Sequence, residues 1–431
     1  MAAGVEAGTG AGAAPRLLVG ALGLVQVLAW GSSFYLATVL ARPMAEDTGW
    51  PLSLLAGGVS LGLLVSGLAA PRVGRLIAAH GGRPVMAGGF GLLALGLAVL
   101  GLAPHPAVYV LGWVVLGLGM SATLYDAAFS TLVGALGTGA GEGVGAGEGV
   151  ARRGITAITL FGGFASTVCW PLSAFLVAQV GWRGACLAYG GLMLAVCLPL
   201  ILLAVPRVAP RAAQRVLAEM PALSQSAPPT RPILAGPQRL QFLLLASVLM
   251  VAGFLATVLL IHLVTLVQAN GVAAADAVAL GMLIGPAQVG ARLLELAFGG
   301  RLHPIRTLLV ASVLTALGLG LLALDLPFAA LHLPAVALLL YGAGNGILTI
   351  VRGALPLALF GPRDYPLVMG LLARPGQIAV AAAPALGGLL LDHLGAEVVL
   401  GLMAGLAVAN VALVGVLVRV GEGRRRSRKH I

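Results

Sequence analysis

Five ionisable side chains lie inside long apolar stretches of this sequence, where charged residues are otherwise scarce. They are Asp126, Arg292, Glu295, Arg352 and Arg374. Moving such a group to the centre of a lipid bilayer costs about 3 kcal/mol on insertion scales, so it persists where it faces a partner or a water-filled cavity. Each of them is therefore a candidate for the lining of a pathway across a membrane.

Arg292 presents a planar fork of donors with a permanent positive charge, which suits a carboxylate. Two interpretations stay open. Arg292 contacts an anionic substrate, or it pairs permanently with Glu295, one turn later on the same helix. The two interpretations are compatible if Glu295 pairs with Arg292 only while no substrate is bound. Glu295 is also the first candidate for carrying a coupled proton, because an anion bound to Arg292 would change its electrostatic surroundings.

The other charged candidates have more than one interpretation. For Asp126 we expect an ion pair with Arg75 or Arg83, and a substrate or proton role is the alternative. Arg374 is a candidate second substrate contact, whereas Arg352 either snorkels to the surface or ties its helix to another element. Uncharged candidates for the site are Gln26, Trp30, Tyr35, His262 and Asn345. Packing between helices is the competing interpretation for each of these.

The composition assigns the chain to the membrane proteins. Hydrophobic residues make up 59% of it, charged residues 9%, and the mean hydropathy is +1.04, whereas soluble domains are about 25% charged. A bilayer core about 30 Å thick takes about 20 apolar residues per helix. We predict transmembrane segments at 17–41, 52–71, 84–103, 107–134, 155–180, 184–205, 240–268, 277–298, 305–326, 333–360, 366–391 and 397–418. The predicted fold is an all-α polytopic membrane protein with 12 transmembrane helices in two pseudo-symmetric six-helix bundles.

The basic residues indicate topology rather than a nucleic-acid partner. The formal charge is +11, yet the arginines form no single patch interleaved with aromatic residues. They concentrate in every second loop, and only Arg42 and Arg183 fall in the others. Because loops rich in Lys and Arg stay in the cytoplasm, we expect both termini there. The expected location is a bacterial-type inner (plasma) membrane, with no cleaved signal peptide, because the first apolar run is long enough to span and stay.

A polar segment divides the chain into two related halves. Gly117 and Gly119 in the first half match Gly342 and Gly344 in the second, 225 residues later. A loop with glycine at every second position, 137–149, reads as a flexible linker. The predicted parts are an N-terminal tail at 1–15, a first bundle at 16–205, a linker at 206–239, a second bundle at 240–420 and a basic tail at 421–431.

Patterns typical of enzymes or metal sites are missing from the sequence. It contains no H-E-x-x-H motif, and Cys169, Cys186 and Cys197 all lie inside predicted helices. We therefore expect no catalytic residues, no metal and no cofactor, and the chain is predicted not to be an enzyme.

The twelve segments, the two halves and the loop Gly74-Arg75-Leu76-Ile77-Ala78-Ala79-His80-Gly81-Gly82-Arg83 resemble the major facilitator superfamily. The loop is similar to the G-x-x-x-D-R-x-G-R-R signature, with Ala78 where the acid is expected. The resemblance implies a cytoplasmic gate at Gly74, Arg75 and Arg83. Trp30-Gly31-x-x-Phe34-Tyr35, Gly49-Trp50-Pro51 and Gly181-Trp182-Arg183 are similar to the monocarboxylate and oxalate-type branch, which implies that Arg292 and Arg374 bind substrate.

These features predict a secondary active transporter that moves a small organic anion, mono- or dicarboxylate-like, by alternating access. The alternative is a proton-coupled exporter of drugs or metabolites with the same fold. The expected partners are a small-molecule substrate, a proton or counter-anion and the lipid bilayer, and the protein is expected to be a monomer that binds no nucleic acid.

Overall fold

A computed structural model of the chain describes residues 10–137, 144–207, 237–269, 271–298, 303–324 and 332–429. Parts of several predicted features lie outside these residues. They are the start of the N-terminal tail, the middle of the glycine-rich loop, most of the linker at 206–239, the last two residues of the predicted segment 305–326, and the last two residues of the basic tail.

Helices and two π-helical turns, Gly31–Tyr35 and Met193–Cys197, make up the regular structure of the described chain. The helices of the first half are α1 Gly10–Trp30, α2 Leu36–Thr48, α3 Leu52–His80, α4 Gly82–Gly101, α5 Pro106–Thr123, α6 Tyr125–Gly137, α7 Val144–Gly163, α8 Ala165–Leu192 and α9 Leu198–Ala204. Those of the second half are α10 Pro237–Gln268, α11 Ala274–Gly281, α12 Ile284–Phe298, α13 Pro304–Leu322, α14 His332–Phe360, α15 Tyr365–Leu394 and α16 Ala396–Lys429.

The described residues contain 11 helical spans that are long and apolar enough to cross a membrane, and one of these, Gly149–Ala204, has 56 residues. This span reverses direction at Gly181, whose φ of 71° is unfavourable for residues other than glycine. The hydroxyl of Tyr189 lies 2.8 Å from the hydroxyl of Ser173, 16 residues earlier. A continuous helix would separate two such residues by about 24 Å, so α8 consists of two antiparallel arms.

Glycines let the helices within each half approach closely, and they do so at equivalent places. A Cβ atom at Gly119 of α5 would lie 2.8 Å from the backbone nitrogen of Leu93 on α4. Its counterpart in the second half, Gly344 of α14, would place a Cβ 2.7 Å from the carbonyl oxygen of Ala311 on α13. Small residues at such contacts bring helix backbones together where lipid supplies no hydrophobic driving force.

The two halves, which we call the first bundle (α1 to α9) and the second bundle (α10 to α16), contact each other chiefly through α3 and α15 and through α7 with α12 and α14. We call one end of this interface the gate end: it contains the last turns of α3, α6, α12 and α14 and the first turns of α7 and α15. A Cβ at Gly74 of α3 would overlap the carbonyl oxygen of Pro366 on α15. Elsewhere in the interface, a Cβ at Gly353 of α14 would lie 2.8 Å from side-chain carbons of both Phe129 and Ile155.

Candidate functional site

Arg292 lies between the two bundles with only 4% of its surface exposed. Its Nη1 donates to the carbonyl of Thr159 on α7 at 3.1 Å, so the arginine of the second bundle reaches the first. Its Nε donates to the carbonyl of Gly346 on α14 at 3.3 Å, and Nη2 donates to Oε1 of Gln288, one turn earlier on α12, at 3.4 Å. Three neutral oxygens therefore orient the guanidinium.

The positive charge of Arg292 has no acidic partner among the described residues. Within the described residues no carboxylate lies within ion-pair distance of it, and no other arginine or lysine there is buried. A guanidinium carries five N–H groups, and three are engaged, which leaves one on each terminal nitrogen. A buried charge without a counter-ion is costly, so an anion that reached these two donors would relieve that cost.

Two consecutive glycines of α7 make room for polar groups beside the arginine. A Cβ at Gly163 would overlap Nη1 of Arg292, and a Cβ at Gly162 would overlap the hydroxyl of Tyr125. Adjacent Cα atoms are about 3.8 Å apart, so the guanidinium and the phenol lie on neighbouring sides of one helical turn. Alanine at either position would displace one of the two groups.

Aromatic rings line the first-bundle side of this region. The ring of Trp30 lies 5.4 Å from that of Tyr125 and 6.4 Å from that of Tyr35, between centroids. Tyr35 in turn contacts Trp170 edge-on at 6.0 Å. The four aromatic residues Trp30, Tyr35, Tyr125 and Trp170 are called the aromatic cluster below.

Local backbone chemistry explains how Tyr35 reaches this position. The hydroxyl of Ser33 donates to the carbonyl of Ala29 at 2.6 Å, which competes with the regular helical ladder. The π-helical turn Gly31–Tyr35 follows, and a Cβ at Gly31 would overlap Sγ of Cys169 on α8. Single π-helical turns inside α-helices often occur at functional sites.

Glu295 does not pair with Arg292, so that interpretation was wrong. Its Oε1 instead lies 2.6 Å from Nη2 of Arg152 on α7, and the two side chains are only 8% and 16% exposed. Glu295 and Arg292 are three residues apart on α12, but the acid points toward a cation of the first bundle. The pair joins the two bundles at the gate end.

The expected partner of Asp126 was also wrong. Oδ2 of Asp126 on α6 lies 2.7 Å from Nη2 of Arg352 on α14, whereas Arg75 is exposed and Arg83 half-buried at the end of α3 and the start of α4. Neither Arg75 nor Arg83 forms an ion pair within the described chain. Arg352 therefore connects its helix to another element, which is one of its two predicted roles. Like the pair of Arg152 and Glu295, this ion pair joins the two bundles.

The remaining uncharged candidates divide between packing and the site. Gln26 is fully buried, and its Nε2 donates to the carbonyl of Thr123 at 2.7 Å, which ties α1 to the end of α5. Asn345 is half-buried on α14, directly before the glycine whose carbonyl accepts from Arg292. Gln26 thus joins two helices of the first bundle, and Asn345 lies next in sequence to a residue that contacts the arginine.

Arg374 and His262 lie on other surfaces. The side chain of Arg374 is exposed on α15, and its carbonyl lies near Gly67 of α3. His262 interrupts the helical geometry of α10 (φ −106°, ψ 17°), and its Nε2 lies 3.1 Å from the carbonyl of Pro384 on α15. No contact brings either residue to Arg292 within the described chain.

Three important residues of this region were missed from the sequence: Arg152, Tyr125 and Thr159. Arg152 was assigned to a loop because the fifth segment was predicted to begin at 155, whereas α7 begins at Val144. Tyr125 and Thr159 carry no charge and act through a ring and a backbone carbonyl. The pair Gly162-Gly163 was the one available signal, because consecutive glycines in a helix indicate a close approach.

Metal binding finds no support in the described residues, where no group of three or more His, Cys, Asp or Glu side chains comes together. Cys169, Cys186 and Cys197 are separate, free and buried.

Comparisons with known proteins place the chain in a family. The family model described as Major Facilitator Superfamily matches residues 22–356. A search of curated proteins finds no significant match. The crystal structure of the human organic anion transporter MFSD10 (TETRAN) has a similar fold, with a TM-score of 0.65 and 19% identity over 93% of this chain and 99% of that one. Because the family match spans most of the sequence, the chain belongs to the major facilitator superfamily.

Proposed function

We propose that the protein is a secondary active transporter that moves a small organic anion by alternating access. The single observation that supports the substrate class most strongly is Arg292, buried between the bundles with two free N–H groups and no acidic partner in the described chain. The human transporter of similar fold is described as an organic anion transporter, which agrees with an anionic substrate.

Alternating access requires that the site open to one side at a time. The ion pair of Arg152 with Glu295 and the contact of Gly74 with Pro366 close the gate end, and the ion pair of Asp126 with Arg352 also joins the two bundles. The loops on that side carry most of the arginines, so we assign the gate end to the cytoplasm, with both termini there. The conformation is then the outward-facing one, in a bacterial-type inner membrane.

The helix count follows from the reversal at Gly181. We count the span Gly149–Ala204 as two crossings, which brings the total to the twelve of two six-helix bundles. The bundles are assigned to 16–205 and 240–420, and the segment between them is assigned as a cytoplasmic linker.

The other predicted site residues remain proposed substrate contacts, and the structural support differs among them. Asn345, Trp30 and Tyr35 adjoin the arginine or its aromatic neighbours and are proposed substrate contacts, with Gln26 holding α1 in place behind them. Arg374 is a weaker candidate because its side chain is exposed elsewhere on α15. The similarity to the monocarboxylate and oxalate-type branch rests on the sequence motifs alone.

Glu295 and Asp126 remain the candidates for coupling, because each would lose its ion pair on protonation and so weaken the gate. A proton-coupled drug or metabolite exporter is supported less well. Such a protein would present an acid to a cationic substrate, whereas both acids of this region are held by arginines and the free charge is positive.

A stability screen of the purified protein tests the substrate class, since a ligand that binds only the native state raises its stability. Organic anions should stabilise the wild type and an Arg42→Gln control, in which an exposed arginine of α2 is neutralised. They should lose their effect in Arg292→Gln. Stabilisation by cations or neutral drugs that is unchanged in Arg292→Gln would instead support the exporter.

A further inference from the structure

We infer that this site selects monovalent aromatic carboxylates over dicarboxylates and over aliphatic acids of the same size, an inference that rests on the proposed function. Two independent features of the site carry it: the number of uncompensated charges and the kind of side chain around them.

The charges in the region almost cancel. Glu295 neutralises Arg152 at 2.6 Å, and Asp126 neutralises Arg352 at 2.7 Å. Neither arginine therefore offers an uncompensated charge to a ligand. Arg292 alone combines burial with the lack of an acidic partner in the described chain. One bound carboxylate makes the site neutral, whereas a second would leave a negative charge in a poorly solvated place, which is unfavourable.

The donors of Arg292 also fit one carboxylate. Its terminal nitrogens each keep one N–H after the carbonyl of Thr159 and the amide of Gln288 are satisfied. The two oxygens of a single carboxylate can accept one bond from each terminal nitrogen of an arginine. Nη1 of Arg292 lies against Gly163 and the hydroxyl of Tyr125 against Gly162, so the phenol is a neighbour of the place where that carboxylate would bind.

The body of the ligand would meet the aromatic cluster. Trp30, Tyr35, Tyr125 and Trp170 form a chain of rings with centroids 5.4 to 6.4 Å apart, and the chain begins at Tyr125, against the glycine that precedes the one in contact with the arginine. Trp170 is 47% exposed and the other three are partly exposed, so the rings are not sealed in a core. Edge-to-face and offset contacts favour an aromatic ring over a saturated one of equal size.

One further group lacks a partner at this place. The indole Nε1 of Trp30 is buried and has no acceptor within the described chain. Buried donors are almost always satisfied, so an oxygen of a ligand beside Trp30 is the acceptor that the site is missing.

The test uses the full-length protein in lipid nanodiscs and a matched set of probes. Binding is measured for benzoate, cyclohexanecarboxylate, terephthalate, oxalate and benzamide by thermal stabilisation. We expect benzoate to bind about ten-fold or more tightly than terephthalate or oxalate, about two- to ten-fold more tightly than cyclohexanecarboxylate, and benzamide not at all. Tyr35→Leu should abolish the preference for benzoate over cyclohexanecarboxylate while both still bind.

The outcomes separate this inference from the proposed function. If oxalate or terephthalate equals or exceeds benzoate and its binding is lost in Arg292→Gln, the inference is overturned and the anion transporter stands. Equal binding of benzoate and cyclohexanecarboxylate by the wild type overturns it as well. If no anion binds to the wild type, or if anion binding persists unchanged in Arg292→Gln, the proposed function itself fails. Gel filtration and the melting temperature of each variant without ligand control for folding.

Discussion

Neutralising Glu295 should open the gate end of the protein. In Glu295→Gln the contact of 2.6 Å with Arg152 loses its charge, and both side chains are mostly buried. Two unit charges 4 Å apart interact by about 4 kcal/mol at an effective dielectric constant of 20, and desolvation offsets part of this gain. A net loss of about 2 kcal/mol would shift the ratio of closed to open gate by about thirty-fold.

Spin labels on the two bundles report that shift directly. Ala79 at the end of α3 and Arg363 before α15 are both exposed at the gate end, so cysteines placed there accept labels, while the native cysteines are buried. Electron-spin distance measurements should show one short distance in the wild type and a second, longer population in Glu295→Gln. The reversed pair Arg152→Glu with Glu295→Arg should restore the short distance. An unchanged distribution in the single variant would refute the gating role of this pair.

Three further variants test separate parts of the structure. Gly163→Ala should lower the affinity for anions at nearly unchanged stability, because its Cβ displaces only the flexible end of Arg292; titration and melting curves check both. Gly74→Ala places a Cβ against the carbonyl of Pro366 and should lengthen the label distance at the gate end without touching the arginine. Tyr189→Phe removes a hydroxyl bonded to Ser173 and to the carbonyl of Cys169, so unfolding should become easier by about 1 kcal/mol, with transport retained in liposomes.

Hydropathy was sufficient to predict a helical membrane protein, because bilayer thickness imposes a length and a composition on every span. The positions at which helices end or break were harder to predict from the sequence. The fourth segment, 107–134, is interrupted at Leu124 between α5 and α6, and the first contains the turn Gly31–Tyr35. Both interruptions depend on backbone hydrogen bonds that apolar composition does not reveal. The gap that hydropathy predicted between the fifth and sixth segments, 181–183, does contain the non-helical residue Gly181.

The candidate site was only half predictable. The rule that intramembrane charge is functional identified Arg292, Glu295, Asp126 and Arg352, yet the pairing could not follow from it. The two ion pairs join residues 143 and 226 positions apart, and helical spacing predicts only neighbours one turn away. Thr159 is beyond sequence reasoning altogether, because it contributes a backbone carbonyl that every residue possesses.

Uptake into proteoliposomes tests most directly whether Arg292 binds a transported anion. Vesicles loaded with unlabelled benzoate and diluted into a trace of labelled benzoate should accumulate the label with the wild type and with Arg42→Gln. We expect no accumulation with Arg292→Gln that has folded and inserted normally. Accumulation by Arg292→Gln at the rate of the wild type would contradict it.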